Sequence, residues 1–86
     1  MGATLEFTRV RANDYRSAVR QLQEQTMSSD PYSGDFNTCY DYANVSRRFE
    51  SVDDFSDWVE EDGEKREAYF YKLDGDRWLV GAWCAC

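Results

Sequence analysis

The stretch REAYFYKLDGDRWLVGAWC, residues 66–84, decides the fold class. Two runs rich in aromatic and β-branched residues flank Asp74-Gly75-Asp76, and Asp-Gly between such runs is a strong β-hairpin signal. We therefore predict that the chain closes with two antiparallel strands. Trp78, Trp83 and the other rings of this hairpin are expected to close the core.

The first half of the chain predicts one strand and one helix. Residues 3–11, ATLEFTRVR, alternate apolar and polar side chains and are rich in β-branched residues, which indicates a strand. Asn13 or Asp14 then offers an N-cap for a helix over about residues 14–26. The apolar stripe of this helix is predicted to contain Tyr15, Ala18, Val19 and Leu22.

The middle of the chain is less decisive. Residues 27–37 contain the only proline and a Ser-Gly-Asp step, and so predict an ordered surface loop. Residues 38–49 fit a strand through their threonine, tyrosine and valine content, although Tyr42, Val45 and Phe49 also fit a helical stripe. A strand is favoured, and a helix remains the alternative.

A second helix is predicted to begin after Ser51. Ser51 with Asp54 three residues later resembles a capping box, with aspartate in place of the usual glutamate. The stripe of Val52, Phe55, Trp58 and Val59 has helical spacing. Asp62-Gly63 then ends the helix, because glycine suits a left-handed exit.

These elements predict a single α+β domain over residues 1–86. At 42% hydrophobic and 16% aromatic residues, the chain has enough apolar side chains to fold. We expect an antiparallel or mixed sheet of about four strands, with two helices on one face and a β-hairpin at the end.

The net charge of -7 lies entirely in the second half of the chain. Residues 1–48 carry six acids and six bases, whereas residues 49–86 carry eleven acids and four bases. This balance disfavours direct binding of nucleic acid and favours a basic protein as partner. The arginines are expected to pair with surplus acids; a small nucleic-acid patch is the alternative.

No catalytic, metal or cofactor site is expected. The chain lacks histidine, the commonest general base, so Cys39, Cys84 and Cys86 have no histidine to activate them or to complete a zinc site. The three cysteines are expected to be reduced thiols. Without a signal peptide or a membrane-spanning run, the sequence predicts a cytoplasmic protein that makes no membrane contact.

Two acidic segments are candidate partner-binding sites. Half of the residues from Phe49 to Glu64 are acidic, and like charges on one short helix repel each other. A solvated helix face is the alternative interpretation. A second segment interleaves tyrosines, which are common binding hot spots, with aspartates. The candidate residues are Asp53, Asp54, Asp57, Glu60, Glu61 and Glu64, together with Asp35, Asp41, Tyr32, Tyr40 and Tyr42.

The step into the second helix resembles one found in some small phage-encoded anti-CRISPR proteins. In those proteins an Arg-x-Phe-acid-Ser run precedes a short helix that bears an aromatic residue and ends in tryptophan. The resemblance covers about a dozen residues, and the matching positions are Arg47, Phe49, Glu50, Ser51 and Trp58. It implies a stoichiometric inhibitor that binds a CRISPR effector and blocks its basic guide or target-DNA surface.

The leading hypothesis is therefore a non-enzymatic inhibitor or binding protein. Its acidic face would mimic DNA and compete with phosphate for the basic surface of a nuclease or CRISPR effector. An immunity or anti-restriction protein that neutralises a nuclease fits the same features. A structural domain that dimerises through the aromatic face of its sheet is the alternative from another class.

Overall fold

The chain alternates strands and helices before its final hairpin. The computed structural model describes residues 3–28 and 41–85. The elements, in chain order, are β1 Ala3–Arg11, α1 Tyr15–Ser28, β2 Asp41–Val45, α2 Val52–Asp62, β3 Glu67–Asp74 and β4 Arg77–Ala85. The α+β fold class predicted from the sequence is confirmed.

The strands of the described residues form one mixed sheet in the order β1-β4-β3-β2. β4 lies in the middle of this sheet and pairs antiparallel with both β1 and β3, whereas β2 pairs parallel with β3. The predicted hairpin is confirmed as β3 and β4. Gly75 turns the chain between them with φ at 28°, a backbone conformation that residues other than glycine rarely adopt.

The helices lie on opposite faces of the sheet, so the prediction that they share one face is wrong. α1 contributes Leu22 to a buried cluster that contains Phe70. α2 contributes Phe55 to a second cluster that contains Tyr71. Successive side chains of a strand point to opposite faces, and Phe70 and Tyr71 are neighbours in β3. The sheet is therefore the central layer of three.

The physical reason for this arrangement lies in β3. Ala68, Tyr69, Phe70 and Tyr71 are all buried, although they alternate between the two faces. A strand covered on one face only would alternate buried and exposed residues, whereas a continuous apolar run needs cover on both. Each large side chain that is fully buried stabilises the fold by about 1.5–3 kcal/mol. One helix on each face satisfies this requirement.

The segment between the helices is described only in part. β2 confirms the strand favoured within residues 38–49, although it spans only Asp41–Val45. The first residues of the predicted loop, 27 and 28, belong to α1, which continues past its predicted end at residue 26. The rest of that loop prediction lies outside the described residues.

Gly63 follows α2 without a left-handed conformation, which contradicts the predicted exit. Its φ of -71° and ψ of 142° are extended. A Cβ at this position would lie 2.4 Å from the Val59 carbonyl oxygen, which accepts a hydrogen bond from the Gly63 N–H at 2.9 Å. Glycine is therefore favoured at position 63 because any larger side chain would clash with the Val59 carbonyl. The left-handed conformation occurs later, at Arg66, with φ at 66°.

Both tryptophans of β4 tie it to a neighbouring segment. Trp78 is buried on the α1 side and donates its indole N–H to the Ala12 carbonyl at 3.0 Å. Trp83 is half-buried and donates to the Val59 carbonyl of α2 at 3.0 Å. Val59 thus accepts two hydrogen bonds near the end of α2, which satisfies a carbonyl that the helix itself leaves unpaired.

Candidate partner-binding site

α2 presents the candidate acidic surface, and its first turn is fixed by a cap. The Ser51 hydroxyl accepts a hydrogen bond from the Asp54 backbone N–H at 3.2 Å, as the capping arrangement predicted. Asp53 and Asp54 lie in the first turn, near the positive end of the helix dipole. Glu60 and Glu61 lie near the negative end, where carboxylates are unfavourable. The helix therefore carries charges that do not serve its own stability.

An aromatic cluster holds the opposite side of α2 against the sheet. Phe55 is fully buried and stacks on Tyr71, with ring centroids 4.8 Å apart. Phe49 meets Phe55 edge-on at 5.7 Å, so the residues before the cap also pack on the first turn. Trp58 extends the cluster towards Tyr69 at 5.1 Å. These contacts fix which side of α2 faces outwards.

Except for Asp62 at its last position, the exposed carboxylates of α2 occupy one continuous sector of the helix. With 3.6 residues per turn, they span about 120° of the helix, centred opposite Phe55 and Val59. The members of this sector, which we call the acidic face, are Asp53, Asp54, Asp57, Glu60 and Glu61, all exposed. The sequence pattern predicted this separation of charge from core, and the structure places the five carboxylates together.

A groove runs beside the acidic face. Its volume is about 390 Å³, and the segment before the cap forms its other wall. Trp58 and Phe49 supply half-buried rings to it. The full lining is Arg47, Arg48, Phe49 and Glu50 from that segment and Asp54, Asp57, Trp58, Glu61 and Asp62 from α2. Aromatic rings and carboxylates in one groove suit a guanidinium or ammonium group.

The two arginines of the groove stack on rings instead of pairing with α2. The Arg47 guanidinium lies 4.9 Å from the centre of the Phe49 ring. The Arg48 guanidinium lies 4.9 Å from the Tyr71 ring centre and donates to the Lys72 carbonyl at 2.8 Å. These arginines are not among the site residues predicted from the sequence. The Phe49 ring, two residues before the cap, is the signal that could have indicated them.

The carboxylates of the acidic face form no ion pair with a described residue. Among the described residues, an ion pair joins Arg77 to Asp74 across the hairpin turn. The expected pairing of arginines with surplus acids therefore occurs at Arg77 but is wrong for six other arginines. The arginines that lack such a pair with a described residue include Arg9, Arg11, Arg16, Arg20, Arg47 and Arg48.

A second group of carboxylates lies where β2 meets β3. Asp41 is paired in register with Glu67, and Glu64 lies just before β3. Burial, followed by repulsion from Glu64 and Asp41, raises the pKa of Glu67. Glu64 also donates its backbone N–H to the Tyr69 hydroxyl at 2.8 Å, which holds its backbone close to the sheet. The ionised Glu67 therefore works against folding.

We expect Glu67→Gln to raise the melting temperature at neutral pH. A carboxyl group whose pKa is raised in the folded state contributes stability that is full below its ordinary value of 4.5 and is lost as pH rises through the raised pKa. Glutamine removes that loss, so the gain should be largest at pH 7 and should vanish at acidic pH. Thermal unfolding followed by circular dichroism at both pH values measures it. An equal change in melting temperature at neutral and at acidic pH would contradict the electrostatic cause. Glu50→Gln serves as control, because Glu50 is an exposed acid outside this group.

The tyrosine segment is described only at its end. Tyr42 is half-buried on the α1 side of the sheet, with its ring centroid 6.1 Å from that of Phe70. It therefore lies on the other side from the acidic face, and the structure does not bring the two together. Asp41 is exposed at the start of β2. Tyr32, Asp35 and Tyr40 lie outside the described residues.

No protein-family model, curated protein or solved structure matches this chain. The candidate site is thus supported by its own geometry. In residues 3–28 and 41–85, no helix has the length and apolar character needed to cross a membrane. The same residues hold no group of three or more cysteine or carboxylate side chains placed to bind a metal ion.

Proposed function

We propose that this protein is a non-enzymatic binding protein that inhibits a nucleic-acid-handling partner. The acidic face of α2 contacts a basic surface of that partner and takes the place of a phosphate backbone there. The observation that carries the proposal is the sector of five exposed carboxylates, none of which forms an ion pair with a described residue.

The packing of α2 supports a role in binding. A rigid helix holds its carboxylates in fixed positions, so less side-chain and backbone freedom is lost when a partner binds. Phe55 and Val59 anchor this helix from the opposite side. The groove beside it offers the Trp58 ring and five carboxylates to a basic side chain, in addition to the long-range attraction of the whole face.

The partner class follows from charge and from the resemblance of the segment around Ser51. A CRISPR effector, which binds guide RNA and target DNA in a positively charged channel, is the target that the resemblance to anti-CRISPR proteins implies. A nuclease toxin or a restriction enzyme presents a similar basic surface. All three partners share the recognition chemistry proposed for the acidic face.

The dimerising structural domain has less support. It requires an open aromatic face on the sheet, yet α1 and α2 cover one face each. Among the side chains that the structure describes, Val52 is the only exposed large hydrophobic residue, at 40%. A single exposed valine does not form an apolar patch of the size that marks an interface.

Capture from a bacterial lysate tests the proposal. Tagged protein is incubated with lysate at low and at high salt, and the retained proteins are identified by mass spectrometry. We expect a basic nucleic-acid-binding protein that is retained at low salt and lost at high salt, because salt screens contacts between exposed charges. Retention of the same proteins by a variant with its acidic face reversed, or self-association alone at both salt concentrations, would contradict the proposal.

A further inference from the structure

Three arginines lie on two neighbouring strands at one edge of the sheet. Arg9 and Arg11 lie on the edge strand β1, and Arg77 begins β4 directly opposite Arg11. They border a recess of about 450 Å³, which we call the arginine pocket. Its lining residues are Arg9, Val10, Arg11, Gln21, Gln25 and Arg77.

The backbone brings the Cβ atoms of these arginines close together. Residues directly opposite in an antiparallel pair have their Cβ atoms about 5 Å apart, which applies to Arg11 and Arg77. Arg9 and Arg11 are two positions apart on one strand, so they share a side of it and lie about 7 Å apart. Gln25 donates its side-chain amide to the Arg9 carbonyl at 3.4 Å, which brings α1 over the strand edge.

Of these three arginines, Arg77 alone forms an ion pair with a described residue. Like charges directly opposite each other destabilise a sheet. Asp74 neutralises Arg77 through a bidentate contact. Asp76 borders the adjoining recess together with Arg11 but forms no ion pair with it. Within the part of the chain that the structure describes, Arg9 and Arg11 therefore have no counter-ion.

We propose that the arginine pocket binds the phosphate group of a small phosphorylated molecule. Guanidinium groups offer paired N–H donors that match phosphate oxygens, and the amide of Gln21 offers a further donor. A phosphate can accept from several arginines at once because it has more acceptor oxygens and more charge than a carboxylate. The two arginines without a counter-ion match the double charge of such a group.

A small ligand fits better than a nucleic-acid backbone. A net charge of -7 repels a long polyanion along its whole length. A single phosphate group senses mainly the charges within a screening length of about 8 Å at physiological salt. No carboxylate of α2 lines the arginine pocket. The pocket therefore suits a compact ligand.

An NMR titration with pyrophosphate at constant ionic strength tests the proposal. We expect saturable shifts of the backbone amides of Arg9, Arg11 and Arg77. The variant Arg9→Gln/Arg11→Gln should lose about tenfold or more in affinity, because it removes two charge-assisted donor groups. The matched control Arg16→Gln/Arg20→Gln changes the net charge equally, on exposed positions of α1 outside the pocket, and should bind as the original protein does.

Three outcomes would overturn the assignment. Shifts that grow linearly without saturation would exclude a site. An equal loss in both variants would indicate general attraction of anions. Tighter binding of a short single-stranded oligonucleotide than of pyrophosphate at Arg9 and Arg11 would exclude a small-molecule site. If the glutamine variant unfolds, Arg9→Lys/Arg11→Lys keeps the charge but lacks the paired donors, and it should still bind measurably more weakly.

Discussion

Replacing Phe55 with alanine is expected to lower the free energy of unfolding by about 3–5 kcal/mol. Phe55 has no exposed surface, and its ring contacts Tyr71, Phe49 and Trp58. Alanine would leave a cavity between α2 and the sheet that neighbouring rings cannot fill without leaving their own contacts. Because a domain has only about 5–15 kcal/mol of stability, the variant should be close to unfolding.

Urea unfolding followed by tryptophan fluorescence and by far-ultraviolet circular dichroism measures this loss. Val52→Ala is the control, since Val52 belongs to the same helix but is 40% exposed and should change stability by no more than about 0.5 kcal/mol. Phe55→Leu keeps most of the apolar volume and should lie between the two. If Phe55→Ala lost no more than about 1 kcal/mol, the average for a point substitution, Phe55 would not be the anchor of α2.

The elements that depend on local chemistry could be predicted from the sequence. The hairpin follows from Asp74-Gly75, because glycine adopts the positive φ that the turn requires. The start of α2 follows from Ser51, whose hydroxyl satisfies a backbone donor that the helix leaves unpaired. Both signals act over a few residues, so they need no knowledge of the tertiary structure.

The placement of the helices could not be obtained from the same signals. The helical spacing of the apolar residues, which include Leu22 in α1 and Phe55 in α2, shows that each helix has an apolar side. It does not show which face of the sheet that side covers. The run Ala68–Tyr71 did contain the information, because four consecutive buried residues in a strand require cover on both faces. As a hairpin signal alone, this run does not indicate which face of the sheet each helix covers.

The surroundings of the arginines were the least predictable feature. Sequence composition favours ion pairs in a chain with surplus carboxylates, yet Arg47 and Arg48 stack on the rings of Phe49 and Tyr71. An exposed ion pair contributes little once side-chain entropy is lost, whereas a ring also offers apolar contact to the side chain. The pairing of Arg11 with Arg77 depends on the register of β1 with β4, which brings together residues far apart in the chain.

Reversal of Asp57 and Glu60 to lysine is expected to act in opposite directions on binding and on stability. Both residues belong to the acidic face, and lysines there would meet a basic surface with like charge, at a cost of several kcal/mol. That corresponds to about a hundredfold or more in the Kd for the captured partner. The same change removes repulsion between carboxylates three and four residues apart and places a cation near the end of α2, so the melting temperature should stay equal or rise.

Isothermal titration calorimetry against the purified partner, at two salt concentrations, measures the first effect, and thermal unfolding measures the second. The control Glu24→Lys/Asp76→Lys makes the same change in net charge on exposed positions of α1 and the hairpin turn. It should reduce affinity far less, because only charges within the contact are fully felt at physiological salt. Equal affinity of the original protein and the α2 variant would show that the acidic face is only solvated. Weaker binding together with a lower melting temperature would instead point to a damaged helix. A binding surface whose charges oppose the stability of their own helix is supported only if affinity falls while the melting temperature stays equal or rises.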